Sequence, residues 1–76
     1  MVKVNISLDA VSSVKSFVNM VSQLEYDVDL VSDRYVVDAK SIMGIFSLLD
    51  LSKPIELQAH TEDGADLMEK LKPYLA

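Results

Sequence analysis

Few side chains in this sequence could do chemistry. His60 is the only imidazole and cysteine is absent, so neither a thiolate nor a His-rich metal site can be assembled. A Ser–His–Asp arrangement would have to recruit that same His60. The residue falls on the polar face at the end of an alternating run, where an imidazole is ordinarily solvated. Glu25, Asp27 and Asp29 share one face of another alternating run. Such a line could hold a cation, and it is equally what a solvated strand face presents. The only glycines are Gly44 and Gly64, which leaves no glycine-rich phosphate loop. There remains Ser41, a hydroxyl placed just ahead of an apolar segment, where it can cap a helix. No set of convergent polar groups marks an enzyme, and no cofactor or metal is called for.

The elements that must position these residues show in the hydrophobic periodicity. Val2, Val4, Ile6 and Leu8 alternate with Lys3, Asn5 and Ser7, the pattern of a half-buried strand. Asp9 is a possible cap, after which Val11, Val14, Phe17, Val18 and Val21 recur at helical spacing. The valines are poor helix formers, so packing against a sheet must hold that helix. Alternation resumes from Glu25, with Tyr26, Val28 and Leu30 on one face. Ser32-Asp33-Arg34 turns the chain, and Tyr35-Val36-Val37 returns as the second arm of a hairpin. Ser41 then caps a helix of about two turns from Ile42, weakened by about 1 kcal/mol by Gly44 within it. Asp50 to Pro54 is a loop, and Ile55, Leu57 and Ala59 face one way along a further strand. A last helix starts at Thr61 or Asp63, with Leu67, Met68, Leu71 and Leu75 on its apolar side. Pro73 distorts or ends it. The order is β-α-β-β-α-β-α, which implies an α+β open-faced sandwich: an antiparallel four-stranded sheet with helices on one face.

Composition narrows the partners. Lys and Arg number 7 against 12 Asp and Glu, for a net charge of −5. That sign disfavours DNA and RNA, whose binding rests on basic phosphate contacts, and an anionic membrane surface. The nearly apolar stretch 42–49 is far short of the roughly 20 residues of a spanning helix. The alternating N-terminus does not look like a signal peptide, so the expected compartment is the cytoplasm. With 76 residues, one domain over 1–76 is expected, burying only about 60% of its unfolded surface.

The segment from Val36 to Leu48 reads VVDAKSIMGIFSL. It closely resembles the regulatory-serine segment of HPr, the histidine-containing phosphocarrier family of the bacterial sugar phosphotransferase system. The β-α-β-β-α-β-α order matches that family's fold, and the whole chain can be laid against it with one shortening near Asp50 to Pro54. The resemblance implies a phosphoacceptor histidine in a Gly-x-His-Ala-Arg-Pro-type motif at the start of the first helix. Counting back from Ser41 without gaps puts Ala10 at the histidine, Ser12 at the arginine and Ser13 at the proline. Alanine has no nucleophile, and a serine cannot replace an arginine fork around a phosphate. The implied consequence is loss of phosphorelay, as in the catabolite-repression HPr homologues. The absence of any histidine before residue 60 argues against a shifted alignment that would keep the chain a carrier.

The family's second phosphorylation site is retained at Ser41. In Gram-positive relatives the HPr kinase/phosphorylase modifies this serine, and the product becomes a corepressor of a catabolite-control transcription factor. Beside it lie Ile42, Met43, Phe46 and Leu48, whose counterparts form the family's docking patch. Ile45 and Leu48 are expected to reach the core, leaving Ile42, Met43 and Phe46 for a partner. The leading expectation is a regulatory HPr-like protein, modified at Ser41, docking on a transcription factor or a metabolic enzyme. The alternatives are a constitutive binding module without phosphorylation, or a relic of a carrier.

Overall fold

The computed structural model describes all residues, Met1–Ala76. Strands β1 (Val2–Ile6), β2 (Val28–Ser32), β3 (Tyr35–Asp38) and β4 (Ile55–Ala59) form one antiparallel sheet in the order β1-β4-β2-β3. Helices α1 (Val11–Val21), α2 (Ile42–Leu48) and α3 (Ala65–Leu71) complete the β-α-β-β-α-β-α order, and a 3-10 turn, Lys72–Tyr74, follows α3. This is the open-faced sandwich that the periodicity implies. No helix is long and apolar enough to cross a membrane.

Alternation in β4 organises the core. Ile55, Leu57 and Ala59 are buried while Glu56 and Gln58 are partly exposed. Across β1 they meet Ile6, Val4 and Val2, and across β2 Leu57 and Ala59 meet Leu30 and Val28. Val14, Phe17 and Val21 of α1, Ile45 of α2, and Leu67 and Leu71 of α3 close over this face. All 16 buried residues are apolar, so burial of hydrocarbon, not a polar network, holds the layers together.

Several boundaries differ from the sequence expectation. Strand β2 begins at Val28, so Glu25, Tyr26 and Asp27 precede it and the three carboxylates do not line one strand face. Asp9 does not cap α1. The N-cap is Ala10, extended at φ −142° and ψ 153°, with no side-chain cap. Val11 is 59% exposed: on a helical wheel it stands about 70° from the mean direction of the other apolar residues, beyond the stripe that faces the sheet. Neither Thr61 nor Asp63 caps α3, which starts at Ala65 after Gly64. Asp63 instead accepts the Ala65 N–H at 3.2 Å within the approach to the helix. A Cβ on Gly64 would overlap Val2 Cγ2, so glycine is what lets the start of α3 pack directly against β1.

Leu75 is 41% exposed rather than on an apolar helix face, because Pro73 sits in the 3-10 turn and ends α3 before it. Leu75 bridges to Ile6 instead. Tyr74 anchors this end, edge-on to Phe17 at 5.5 Å between ring centroids and hydrogen-bonded to the Ser16 hydroxyl. The hairpin closes with two residues, Asp33 and Arg34, between Ser32 and its partner Tyr35. Asp33 takes a left-handed φ of 54°, the sign such tight turns need at their first central residue and one that Asp tolerates. In the loop after α2, Ser52 donates its N–H (3.0 Å) and its hydroxyl to Asp50 Oδ1. These bonds hold the Asp50 carboxyl below the usual carboxylate range.

Gly44 is where α2 touches the sheet. A Cβ there would stand 2.7 Å from Val37 Cγ1 and 3.2 Å from Ser41 Oγ. The glycine that weakens the isolated helix therefore lets it settle on β3. Gly44→Ala should destabilise the fold by about 1–2 kcal/mol despite alanine's higher helix propensity. Urea denaturation measures this, and adding Val37→Ala should recover part of the midpoint shift caused by Gly44→Ala when compared with Val37→Ala alone.

Candidate functional site

The site is built where β3 hands the chain to α2. Asp38 ends the strand, and its carbonyl accepts the Ser41 N–H at 2.9 Å while its carboxylate accepts the Lys40 N–H at 2.9 Å. These two bonds shape the turn. Ser41 is extended, φ −101° and ψ 97°, and its Oγ accepts the Gly44 N–H at 3.3 Å. Its carbonyl accepts the Ile45 N–H at 3.1 Å. Ser41 is thus the helix cap its type and position imply, and it is solvent-exposed, so its hydroxyl is open to reaction from outside.

Lys40 is turned away from Ser41. Its ammonium donates to the carbonyls of Leu24 (3.0 Å) and Tyr26 (3.2 Å), tying down the connection between α1 and β2. Charge-assisted bonds of this kind are stronger than neutral ones. Nothing in the sequence pattern pointed to this role, because both acceptors are backbone groups far away in the chain.

The apolar residues around Ser41 divide by face. Met43 is 71% exposed, Phe46 41% and Leu48 47%. Ile42 is half-buried against the core, and Ile45 is fully buried. The expectation that Leu48 joins the core is corrected: Leu49, at 8% exposure, takes that place. Leu49 is the extended C-cap, and leaving helical geometry there turns its side chain inward. Val11 adds a further exposed apolar residue, on the helix packed beside α2. Its angular offset from the α1 stripe was the available signal.

Ala10, Ser12 and Ser13 stand at the start of α1. Ala10 is exposed, its carbonyl accepts the Val14 N–H at 3.1 Å, and no side chain caps the first turn. These positions hold no imidazole or guanidinium. His60 lies elsewhere. Ala10 follows the end of the sheet where Ile6 pairs with Ile55, whereas His60 comes after Ala59, about 13 Å further along β4. Its Nε2 is 2.9 Å from Asp29 Oδ2 on the open face of the sheet. Asp27 meets it only through its carbonyl, which accepts the His60 N–H at 2.9 Å. No group of three or more His, Asp or Glu residues is placed to hold a metal ion.

A family model described as the PTS HPr component phosphorylation site matches residues 11–76. The fold is similar to the crystal structure of HPr-C-His from Thermoanaerobacter tengcongensis, with a TM-score of 0.73 at 28% identity, over 92% of this chain and 84% of that one. It is similar also to the phosphocarrier protein HPr of Bacillus anthracis str. Ames, with a TM-score of 0.73 at 28% identity, over 99% of this chain and 94% of that one. No curated protein sequence matches the chain.

Two substitutions separate the local roles. Ser41→Ala should cost about 1 kcal/mol as a lost cap. Lys40→Met keeps the aliphatic stem and should cost about 1–2 kcal/mol by stranding two carbonyls. Urea denaturation reads both, and only Lys40→Met should speed amide exchange around Leu24 to Tyr26.

Proposed function

The chain belongs to the PTS HPr family, and from that premise we propose that it is a regulatory member acting by docking rather than by carrying phosphate. Members of this family are phosphocarriers, not enzymes. The observation that carries the reading is the exposed Ser41 hydroxyl at the head of α2, next to exposed Met43 and Phe46. In this reading an HPr kinase/phosphorylase transfers the terminal phosphoryl group of ATP to Ser41 Oγ. The hydroxyl proton is released and ADP leaves. The new charge meets the unfilled N–H groups of the first helical turn. Because Lys40 is committed to Leu24 and Tyr26, it does not neutralise the phosphate, whose charge is left for a partner to read.

The docking surface is Met43, Phe46 and Leu48, with Ile42 at its base. A flexible thioether and an exposed ring suit an adaptable contact with an anchor. The partners in this reading are the kinase, then a catabolite-control transcription factor or a metabolic enzyme, met in the cytoplasm by a single domain spanning residues 1–76. Relay is excluded by placing Ala10 at the acceptor-histidine position, with Ser12 and Ser13 at the arginine and proline positions. A second reading, constitutive binding without modification, is favoured by one observation: the apolar patch is already exposed in the unmodified chain.

Intact-mass spectrometry after incubation with HPr kinase and ATP discriminates between them. The expected result is gain of one phosphoryl group, absent from Ser41→Ala. No gain, with the kinase active on an ordinary HPr, would leave Ser41 as a cap and the patch as a constitutive surface. Met43→Asp should slow modification by about tenfold or more, as loss of a docking contact does, with an unchanged melting temperature.

A further inference from the structure

The two edges of the sheet are finished differently. The chain's C-terminal residues close the end of β1: Ile6 bridges to Leu75, the Ser7 N–H donates to the Tyr74 carbonyl at 2.7 Å, and the Ala76 N–H donates to the Asn5 carbonyl at 3.2 Å. At the opposite edge, β3 has no strand outside it. Ladder parity identifies its outward backbone groups. The Ala39 N–H donates to the Val28 carbonyl at 2.8 Å. With Leu30 opposite Val37 and Ser32 opposite Tyr35, residues 35, 37 and 39 therefore turn their backbone toward β2. Val36 and Asp38 turn theirs outward, since hydrogen-bonding direction alternates along an antiparallel strand. The Asp38 carbonyl is already used by Ser41. By this parity the Val36 N–H and carbonyl and the Asp38 N–H face outward from the ladder.

Side chains along this edge are self-complementary. Arg34, Val36 and Asp38 follow at every second position, positive, apolar, negative. Val36 is 65% exposed beside its cross-strand neighbour Val31. We propose that β3 is a self-pairing edge whose occupant is β3 of a second copy of this chain, antiparallel about a two-fold axis at Val36. The two sheets then become one continuous sheet. In that register the two Val36 residues exchange both backbone hydrogen bonds, as an isologous contact allows. Each Arg34 faces the Asp38 of the other copy, whose Oδ1 accepts the Lys40 N–H and whose Oδ2 is the oxygen that meets the guanidinium. Each Tyr35 stands opposite a Val37. Val31 and Val36 of both copies make one apolar row across the open face.

Neighbouring registers fail on charge. Centring on Val37 sets Val36 against Asp38 and leaves Arg34 past the end of the partner's β3 with no acid opposite it, and centring on Tyr35 sets Arg34 against Val36. Flanking charges ordinarily blunt a short edge strand; here they match when the strand meets itself. The pairing does not depend on Ser41 or on its modification.

Sedimentation velocity tests this at concentrations up to about 1 mM, the range of weak specific association. The wild type should shift from monomer to dimer as concentration rises. Arg34→Glu alone and Asp38→Arg alone should each remain monomeric, since like charges then face each other. An equimolar mixture of the two should dimerise, because every facing pair is again opposite in sign. Val36→Asp, at an exposed position outside the Asp38 turn, should also abolish the dimer, with circular dichroism showing an intact fold. Met43→Asp should leave the dimer unchanged. A wild type monomeric throughout, a dimer surviving Arg34→Glu or Val36→Asp, a folded mixture that stays monomeric, or a dimer lost in Met43→Asp would each overturn the proposal.

Discussion

Sheet register is the constraint on which the rest of this structure depends. Ile55, Leu57 and Ala59 must all face the helices, and β4 pairs on both sides, so its phase sets that of β1 and β2. Val4, Leu57, Leu30 and Val37 form one row across all four strands. A slip of one residue in any strand would send its apolar set to solvent. In a chain this short, with no polar or charged residue buried, apolar burial is what holds the layers together, and its loss weighs heavily.

That register also decides where the surface chemistry lies. Val37 ends its row beneath α2, and Gly44 allows the helix to rest on it. A helix seated there has one buried residue, Ile45, and a half-buried Ile42, and the remaining apolar side chains cannot turn inward. The exposed Met43, Phe46 and Leu48 follow from the shortness of α2 and the closeness of its packing. Ser41 is held between the Asp38 turn and the Gly44 N–H. A structural cap and an accessible hydroxyl are thus the same side chain, and removing the hydroxyl tests stability and modification together.

Much of this was legible in the order of residues. Alternation in β1 and β4, the Ser41 cap, the short helix after it and the break at Pro73 all rest on local rules, and the segment around Ser41 carried the family resemblance. The errors share a cause. Asp9, Thr61 and Asp63 have the right type for capping, yet the chain enters α1 from Ala10 and α3 from Gly64. Where a helix begins depended on the path from the preceding strand. Leu48 and Leu49 are neighbours of identical chemistry, and only the backbone direction at the end of α2 determines which is buried.

The sequence by itself determined the alternation of faces, the chain order of the elements, the lone His60 and the absence of an imidazole from the first helix. Those are properties of residue type and spacing, and they act locally. The tertiary structure alone decided that Lys40 binds the Leu24 and Tyr26 carbonyls, that His60 meets Asp29, and that the C-terminal residues close the end of β1 while β3 has no strand outside it. Each of these joins groups distant in the chain, and such contacts exist only once burial of the sheet face has fixed the distances between them.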